Sequence, residues 1–411
     1  MAKPKFAAMI KTISILSACL ILLFTACKKE STNNIETETI QIAGLFSLTG
    51  NWSSLGITSQ EAMNLAVIDI NSYLESQNSK YRFSSLVYDT KLDTSLAKSA
   101  IEKAFTDNKI KYFIGPQSSA ELAAVRAYAN ANNLLIVSQG STASSLAIAN
   151  DAVFRFCPGD AVEGAAMANS IFSAGKRKLI TVARDDAGNK GLQQSVGTNF
   201  SSIGGQTIAV TPYAIGMTDF SAVLADIKQK LITNLATTDS NSVGIYLASF
   251  DECKDLFEQA SVDPIFSKVK WYGGDGIVLD PALISSNKAA AFAAKVNFFA
   301  PNYGIPATPN PKLDAIVAAI KSKTSIDIDA YGLATYDAMW VIAKTIVENQ
   351  NALSDFSLFK TSFNKTSNAY TGLTGSLALN ANGDRATGTF DYYGIVFENN
   401  VYKWKLVGKS I

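Results

Sequence analysis

Short apolar runs alternate with amphipathic stretches along the first part of the chain. Residues 40–46 are predicted to form a strand, and Ser59 is predicted to cap the helix that follows. The positions that this helix is expected to bury recur at helical spacing: Ala62, Ala66, Ile70 and Tyr73. Further strands are predicted at 83–88, 112–115 and 134–138, with helices at 95–105 and after Ser118. This repeated strand–helix order predicts a parallel sheet covered by helices on both faces.

The same order begins again after residue 158. Strands are predicted at 179–183, 207–210, 243–247 and 269–273, and the helices between them at 161–173, 191–201, 220–231 and 253–260. The last part predicts a strand at 296–299, a long helix at 336–349, a strand at 375–379 and a hairpin of 393–398 with 402–407 around Asn399-Asn400. Two successive runs of this kind predict an α/β fold with two Rossmann-like lobes.

Composition narrows the class of protein. The 411 residues are 47% hydrophobic, which suffices for two or three cored domains, and 36 Lys and Arg stand against 35 Asp and Glu. This balance gives none of the basic charge typical of nucleic-acid binding. The chain contains no histidine, which excludes Ser-His-Asp and Cys-His catalysis and every metal site with a histidine ligand.

The N-terminal residues 1–26 have the features of an export signal. Lys3, Lys5 and Lys11 precede an apolar segment, 13–24, that is too short to span a bilayer comfortably. The segment ends in LFTAC, which resembles the bacterial lipobox, so Cys27 is predicted to be lipidated. An ordinary secretory signal with an incidental cysteine is the alternative. Residues 27–38 are predicted to be a flexible tether, and no later segment is apolar for the ~18 residues of a membrane span.

A series of short motifs recurs in order along the mature chain. Together these motifs resemble those of the type 1 periplasmic binding proteins, specifically the branched-chain amino-acid binding branch of ABC-transporter substrate-binding lipoproteins. The motifs are 44–50 (GLFSLTG), 66–71 (AVIDIN), 112–119 (YFIGPQSS), 135–142 (LIVSQGST), 154–160 (FRFCPGD), 218–220 (TDF), 336–338 (YDA), 374–377 (TGSL) and 382–385 (NGDR). The resemblance implies two lobes joined by a hinge of several strands. It assigns 39–156 plus 281–363 to lobe 1 and 157–280 plus 364–411 to lobe 2.

The resemblance also implies a ligand site on lobe 1. It assigns Gln117, Ser118 and Ser119 to the ligand, and SSAE at 118–121 is independently a capping box at a helix N-terminus. Free N–H groups at such an end attract a carboxylate, although a capping role alone would explain the motif. The resemblance also assigns to the ligand the residues that follow the next strand, Gly140, Ser141 and Thr142. At these positions the family binds the ligand's α-amine and part of its carboxylate. A polar loop leading into a helix would also explain this run of residues.

On lobe 2 the resemblance assigns Asp275 to the ligand ammonium, while a turn residue between glycines is the structural alternative. Phe250 matches an aromatic cleft position but would also suit the core. Two departures alter the cleft walls, since Leu55 and Ala187 stand where relatives have aromatic residues. Trp52 lies close to Leu55 in sequence and is expected to take the place of the lost ring.

These observations predict a non-enzymatic, lipid-anchored solute-binding protein of the cell envelope, on the periplasmic or outer-membrane face. It would close on an amino acid or similar small molecule and present it to an ABC permease or a sensor. No cofactor, metal or nucleic acid is expected. The alternative is a lipoprotein that uses the same fold to regulate a protein partner, for example a cell-wall synthase. The spacing of Cys157 and Cys253 leaves open whether they form a disulfide.

Overall fold

A computed structural model describes residues 36–410, so the predicted export signal and the predicted lipidation site Cys27 lie outside the described residues. Fourteen strands are described: β1 Glu38–Phe46, β2 Tyr81–Asp89, β3 Tyr112–Ile114, β4 Leu135–Ser138, β5 Val153–Arg155, β6 Lys178–Ala183, β7 Gln206–Ala209, β8 Val243–Ala248, β9 Lys270–Gly273, β10 Phe299–Tyr303, β11 Thr371–Gly372, β12 Gly375–Ser376, β13 Phe390–Glu398 and β14 Val401–Lys409. Twelve α-helices are described within the same residues: α1 Ser53–Ser76, α2 Thr94–Asn108, α3 Ser119–Asn132, α4 Asp160–Ser173, α5 Ala187–Ser202, α6 Ser221–Leu235, α7 Cys253–Ala260, α8 Pro281–Ser285, α9 Asn287–Lys295, α10 Pro311–Thr324, α11 Ala330–Glu348 and α12 Phe356–Ala369.

The first sheet is parallel throughout and has the order β2-β1-β3-β4-β5. Helices cover both of its faces. Alternate residues of a strand point to opposite faces of the sheet, so neighbouring residues of β1 pack against different helices. Ile42 packs into a cluster with α1 and α11, whereas Ala43 packs into a cluster with α2 and α3. This arrangement confirms the predicted layers of the first lobe.

The second sheet has the order β14-β13-β10-β9-β8-β6-β7. It is parallel from β10 to β7, and β13 and β14 join it as an antiparallel edge. The predicted C-terminal hairpin is confirmed, with Asn399 and Asn400 both at positive φ, 53° and 62°. A two-residue turn that matches the twist of its strands requires this conformation, and asparagine adopts it readily.

Several predicted elements begin at other residues: the long helix predicted at 336–349 begins at Ala330, and the helix predicted at 191–201 begins at Ala187. Helix α1 begins at Ser53, after Trp52 in the left-handed conformation, rather than at Ser59. Its buried face includes Leu74, whereas Tyr73, predicted to be buried, is 45% exposed. The strand predicted at 296–299 begins at Phe299, because Val296 ends helix α9.

The predicted division assigned 281–363 to the first lobe, but β10 pairs with β9 and β13 in the second sheet, and residues of α9 pack into the core of that sheet. The predicted assignment of 364–411 to the second lobe differs in the same way, because Leu373 and Leu377 pack into the core of the first sheet. None of the helices within 36–410 is both long enough and apolar enough to cross a membrane.

Candidate ligand-binding site

The first sheet contributes the N-terminus of α3 to the candidate site. The predicted capping box is confirmed: the Ser118 hydroxyl accepts from the Glu121 amide at 3.3 Å, and the Glu121 carboxylate accepts from the Ser118 amide at 3.3 Å. The Ser118 hydroxyl also donates to that carboxylate at 2.5 Å. Burial raises the pKa of Glu121 while its hydrogen bonds to Ser118 lower it. The box fixes the direction in which α3 meets the cleft.

Ser119 lies one residue further along α3 and faces the loop after β4. Its hydroxyl oxygen accepts from the Ala143 amide at 3.1 Å and from the Ser141 hydroxyl at 3.2 Å. Thr142, in the same loop, accepts from the Asp160 amide through its carbonyl oxygen, with 2.8 Å between the two atoms. The loop after β4 is thus tied both to α3 and to the first residue of α4.

Gly140 is packed closely against other residues of the first lobe. A Cβ atom at Gly140 would lie 2.9 Å from the Gln117 carbonyl oxygen and 3.4 Å from the Trp52 indole. The Gln117 side chain bridges two backbone groups, since its amide nitrogen donates to the Trp52 carbonyl at 2.8 Å and its amide oxygen accepts from the Ser47 amide at 3.1 Å. Both ends of the Gln117 amide are therefore engaged by the backbone of the first lobe.

The second sheet contributes Asp275, directly after β9. Its backbone amide donates to Glu163 Oε1 at 3.2 Å. Burial raises the pKa of Asp275 to about 6. The Tyr331 hydroxyl lowers this pKa, although it lies outside normal hydrogen-bond geometry.

Two more carboxyl groups of α4 lie beside Asp275. Burial raises the pKa of Asp160 to about 7; the Thr142 hydroxyl lowers it, Asp275 raises it further and Arg155 partly opposes the rise. Burial, together with Asp275 and Asp160, raises the pKa of Glu163 well above its usual value. All three carboxyl groups are therefore easiest to ionise when a cation is close.

Several polar atoms around these carboxyl groups have no hydrogen-bond partner within residues 36–410. They are both carboxylate oxygens of Asp160, Oε2 of Glu163 and the hydroxyl groups of Tyr246 and Tyr331. Tyr246 and Tyr331 are fully buried, and the three carboxyl groups each raise the pKa of Tyr246 after burial itself. Buried polar groups are nearly always hydrogen-bonded, so this region has the polarity of a site that a ligand completes.

The two lobes meet over the site. The rings of Trp52 and Phe250 are stacked, with centroids 4.6 Å apart and planes at 25°. The Trp52 amide donates to the Asp251 carboxylate at 2.8 Å. The Asn51 side chain accepts from the Asp251 amide at 3.0 Å and donates to the Glu252 carboxylate at 2.5 Å. The described conformation is closed.

The structure thus brings the predicted residues to one cleft: Trp52, Gln117, Ser118, Ser119, Gly140, Ser141 and Thr142 on one side and Phe250 and Asp275 on the other. Trp52 and Leu55 lie beside each other near Gly140, and the replacement of the lost ring by Trp52 stays a prediction. Contact of the predicted residues with a ligand also stays a prediction.

Sequence reasoning missed Glu163, Tyr246 and Tyr331 as candidate site residues. Acidic residues in the first turn of a helix are ordinary partners of the helix dipole, so Glu163 carried no separate sign in the sequence. Within 36–410 no group of three or more carboxylate or thiol side chains converges closely enough to hold a metal ion. Cys157 and Cys253 are buried free thiols in different clusters.

Comparison with known proteins agrees with this architecture. A family model described as periplasmic binding protein matches residues 39–395. An uncharacterized protein of Methanocaldococcus jannaschii is 25% identical over 385 residues, which cover 90% of this chain and 89% of that protein. The branched-chain amino-acid substrate-binding protein LivJ of Streptococcus pneumoniae, solved with isoleucine, has a TM-score of 0.71 at 20% identity, covering 90% of this chain and 99% of LivJ. A solute-binding protein of R. palustris, solved with 4-hydroxybenzoate, has a TM-score of 0.74 at 13% identity, covering 90% of this chain and 97% of that protein.

Proposed function

The chain belongs to the periplasmic binding protein family and has its type 1 fold, and we propose that it captures an amino acid or a closely related small molecule between its two lobes. In this proposal the closed, ligand-bound form is the one presented to an ABC permease or a sensor. Ligand contacts from both lobes favour closure, because a ligand shifts a conformational equilibrium by its difference in affinity for the two states.

One observation carries the proposal: the two sides of the cleft have opposite chemistry. The first lobe offers the N-terminus of α3 with the Ser119 and Thr142 hydroxyls, a setting that suits a carboxylate. The second lobe offers the Asp275 carboxyl beside Glu163, which suits an ammonium group. A zwitterionic amino acid carries these two charges on one carbon atom.

The location follows from the same family and from the predicted lipidation of Cys27. A protein that delivers a solute to a membrane permease works outside the cytoplasm, and a lipid anchor keeps it near the bilayer. Several acyl chains on one cysteine satisfy the rule that stable anchoring needs more than one lipid. Metabolic labelling with a fatty-acid probe, compared between the native chain and Cys27→Ser, tests the anchor. Label that persists in Cys27→Ser would contradict it.

One observation favours the alternative of a protein-binding regulator. The cleft is closed by contacts within the protein, and the side chains of Gln117 and Ser118 are already engaged there. A regulator of that kind would remain closed and take no small solute. The two functions therefore differ in a single measurable property, the binding of small molecules.

A thermal-shift screen of the purified protein against the proteinogenic amino acids, short peptides and small carboxylates separates them. A ligand at 100 times its dissociation constant stabilises the native state by about 2.7 kcal/mol, which is readily seen as a higher melting temperature. We expect a concentration-dependent shift with amino acids that disappears in Ser119→Ala and Asp275→Ala. A folded protein that no compound stabilises would instead support the regulator.

A further inference from the structure

The carboxyl groups of the cleft outnumber the ammonium group of an ordinary amino acid. The Asp275 amide donates to Glu163 Oε1 at 3.2 Å, and Asp160, Glu163 and Asp275 each raise the pKa of the Tyr246 phenol. Asp160 and Glu163 are fully buried and Asp275 is 9% exposed. Taking several carboxylates out of water without partners is costly, so the site requires positive charge or protons from elsewhere.

Within residues 36–410, a basic side chain acts on only one of these three groups. Arg155 lies close enough to lower the pKa of Asp160, while its own side chain makes a bidentate ion pair with Asp384 at 2.6 and 2.7 Å. Arg184 forms ion pairs with Asp186 and Glu252. Asp275 is the carboxylate that the proposed function assigns to the α-ammonium group.

Glu163 has neither an arginine near it within residues 36–410 nor a partner in the proposed function. It takes part in none of the ion pairs found between residues 36 and 410. Its hydrogen bond there is the one accepted by Oε1 from the Asp275 amide at 3.2 Å, and Oε2 accepts none. The hydroxyls of Tyr246 and Tyr331, also without partners, lie near it. The cleft therefore holds two acidic side chains with unmatched oxygens, Asp160 and Glu163, together with two unmatched hydroxyl groups. Of these two side chains only Asp160 has an arginine close enough to lower its pKa, so Glu163 is the one that lacks a cation.

Resting on the proposed function, we propose that the ligand is a dibasic amino acid, whose α-ammonium group pairs with Asp275 and whose second cationic group pairs with Glu163. The second group carries N–H donors, as a primary ammonium or a guanidinium does, because the unmatched atoms include carboxylate and hydroxyl acceptors that need hydrogen to bind. A quaternary ammonium group would leave these acceptors unsatisfied. A metal ion is disfavoured because the carboxyl groups do not converge on one point within the described chain.

A neutral amino acid is the competing ligand. With it, Glu163 would stay protonated, and the carboxylic acid would act as a hydrogen-bond donor. L-lysine and L-norleucine make this comparison, because norleucine has the same carbon chain and lacks only the second ammonium group. L-ornithine, L-2,4-diaminobutyrate and L-arginine vary the reach of the second cation.

Isothermal titration calorimetry on the purified protein tests this choice with L-norleucine, L-leucine and the four dibasic amino acids. We expect at least one dibasic amino acid to bind at least about tenfold more tightly than norleucine, the size expected when a buried charge pair is formed. Glu163→Gln keeps the shape of the side chain, and we expect it to reduce that ratio at least about fivefold. Glu75→Gln, on an exposed part of α1, is the matched control and is expected to leave the ratio unchanged.

The wild-type comparison decides the inference even if Glu163→Gln does not fold. Norleucine or leucine binding as tightly as every dibasic amino acid would overturn the dibasic ligand while leaving the proposed function intact. Binding of a dibasic ligand with an unchanged ratio in a folded Glu163→Gln variant would overturn the role of Glu163. A folded protein that binds none of the six compounds would overturn both this inference and the proposed function.

Discussion

The indole ring of Trp52 stacks on the phenyl ring of Phe250, and the two residues belong to different lobes. Trp52 precedes α1 beside the first sheet, and Phe250 follows β8 of the second sheet. Their contact covers the cleft that contains Ser119 and Asp275. The stack is therefore a direct indicator of closure.

A double-mutant cycle of Trp52→Leu and Phe250→Leu measures this contact. We expect a coupling free energy of about 0.5–1.5 kcal/mol, the range found for stacked aromatic pairs, from the unfolding of the four proteins in urea. The pair of Trp52→Leu with Phe292→Leu is the control, because Phe292 lies in the core of the second lobe and is expected to show no coupling. Zero coupling between Trp52 and Phe250 would mean that the lobes do not meet this way in solution.

The buried ion pair of Arg155 and Asp384 is expected to stabilise the first lobe strongly. It ties the end of β5 to the segment after β12, and Arg155 also donates to the Ala143 carbonyl at 2.7 Å. Asp384→Asn leaves a buried guanidinium without its partner, so we expect a loss of about 3–5 kcal/mol in the free energy of unfolding.

Glu38→Gln provides the matched comparison for this pair, because it removes an exposed ion pair with Lys80 at 3.3 Å. Exposed pairs contribute about 0–1 kcal/mol. Equal losses in the two variants, measured by urea unfolding, would show that the Arg155 pair does not have the described geometry in solution.

The stability of the ligand-free protein is expected to fall as the pH rises from about 4 to about 7. Burial raises the pKa of Asp160 to about 7 and that of Asp275 to about 6, above the value of about 3.9 in an unfolded chain. The folded state therefore holds these protons more tightly, so the stability they contribute is complete below the unfolded pKa and is lost through the folded pKa. The charged and titratable groups that act on them are Arg155, Glu163, Asp186, Tyr246, Asp329 and Tyr331.

Asp160→Asn separates this effect from the others. It cannot ionise, so we expect its unfolding free energy to change less than that of the native protein between about pH 6 and pH 7. The exposed Asp185→Asn is the control and is expected to keep the native profile. Urea unfolding at a series of pH values gives the comparison, and an unchanged slope in Asp160→Asn would contradict the raised pKa.

Local patterns in the sequence were sufficient to predict the layers of the fold and the positions of several helix ends. The SSAE motif gave the start of α3 because a capping box is made by residues three apart, and Asn399-Asn400 gave the hairpin because the turn needs positive φ at both positions. The start of α1 was missed because Trp52 adopts a left-handed conformation and caps no helix with its side chain.

The candidate site was predicted on its lobe 1 side more completely than on its lobe 2 side. Ser119 and Thr142 lie at strand ends, where the α/β rule already expects ligands. Glu163, by contrast, meets Asp275 across 112 residues of sequence, and its lack of a cationic partner is a property of the folded interior. Such an unmatched carboxyl group can be recognised only from the positions of the neighbouring basic side chains in the folded protein.

The orientation of a bound amino acid tests the central claim most directly. We would determine a crystal structure of the protein grown with the amino acid that gives the largest thermal shift. We expect a closed cleft with the α-carboxylate within hydrogen-bond distance of Ser119 or Thr142 and the α-ammonium group on Asp275. An amino acid bound outside this cleft, or with its carboxylate directed at Asp275, would contradict it.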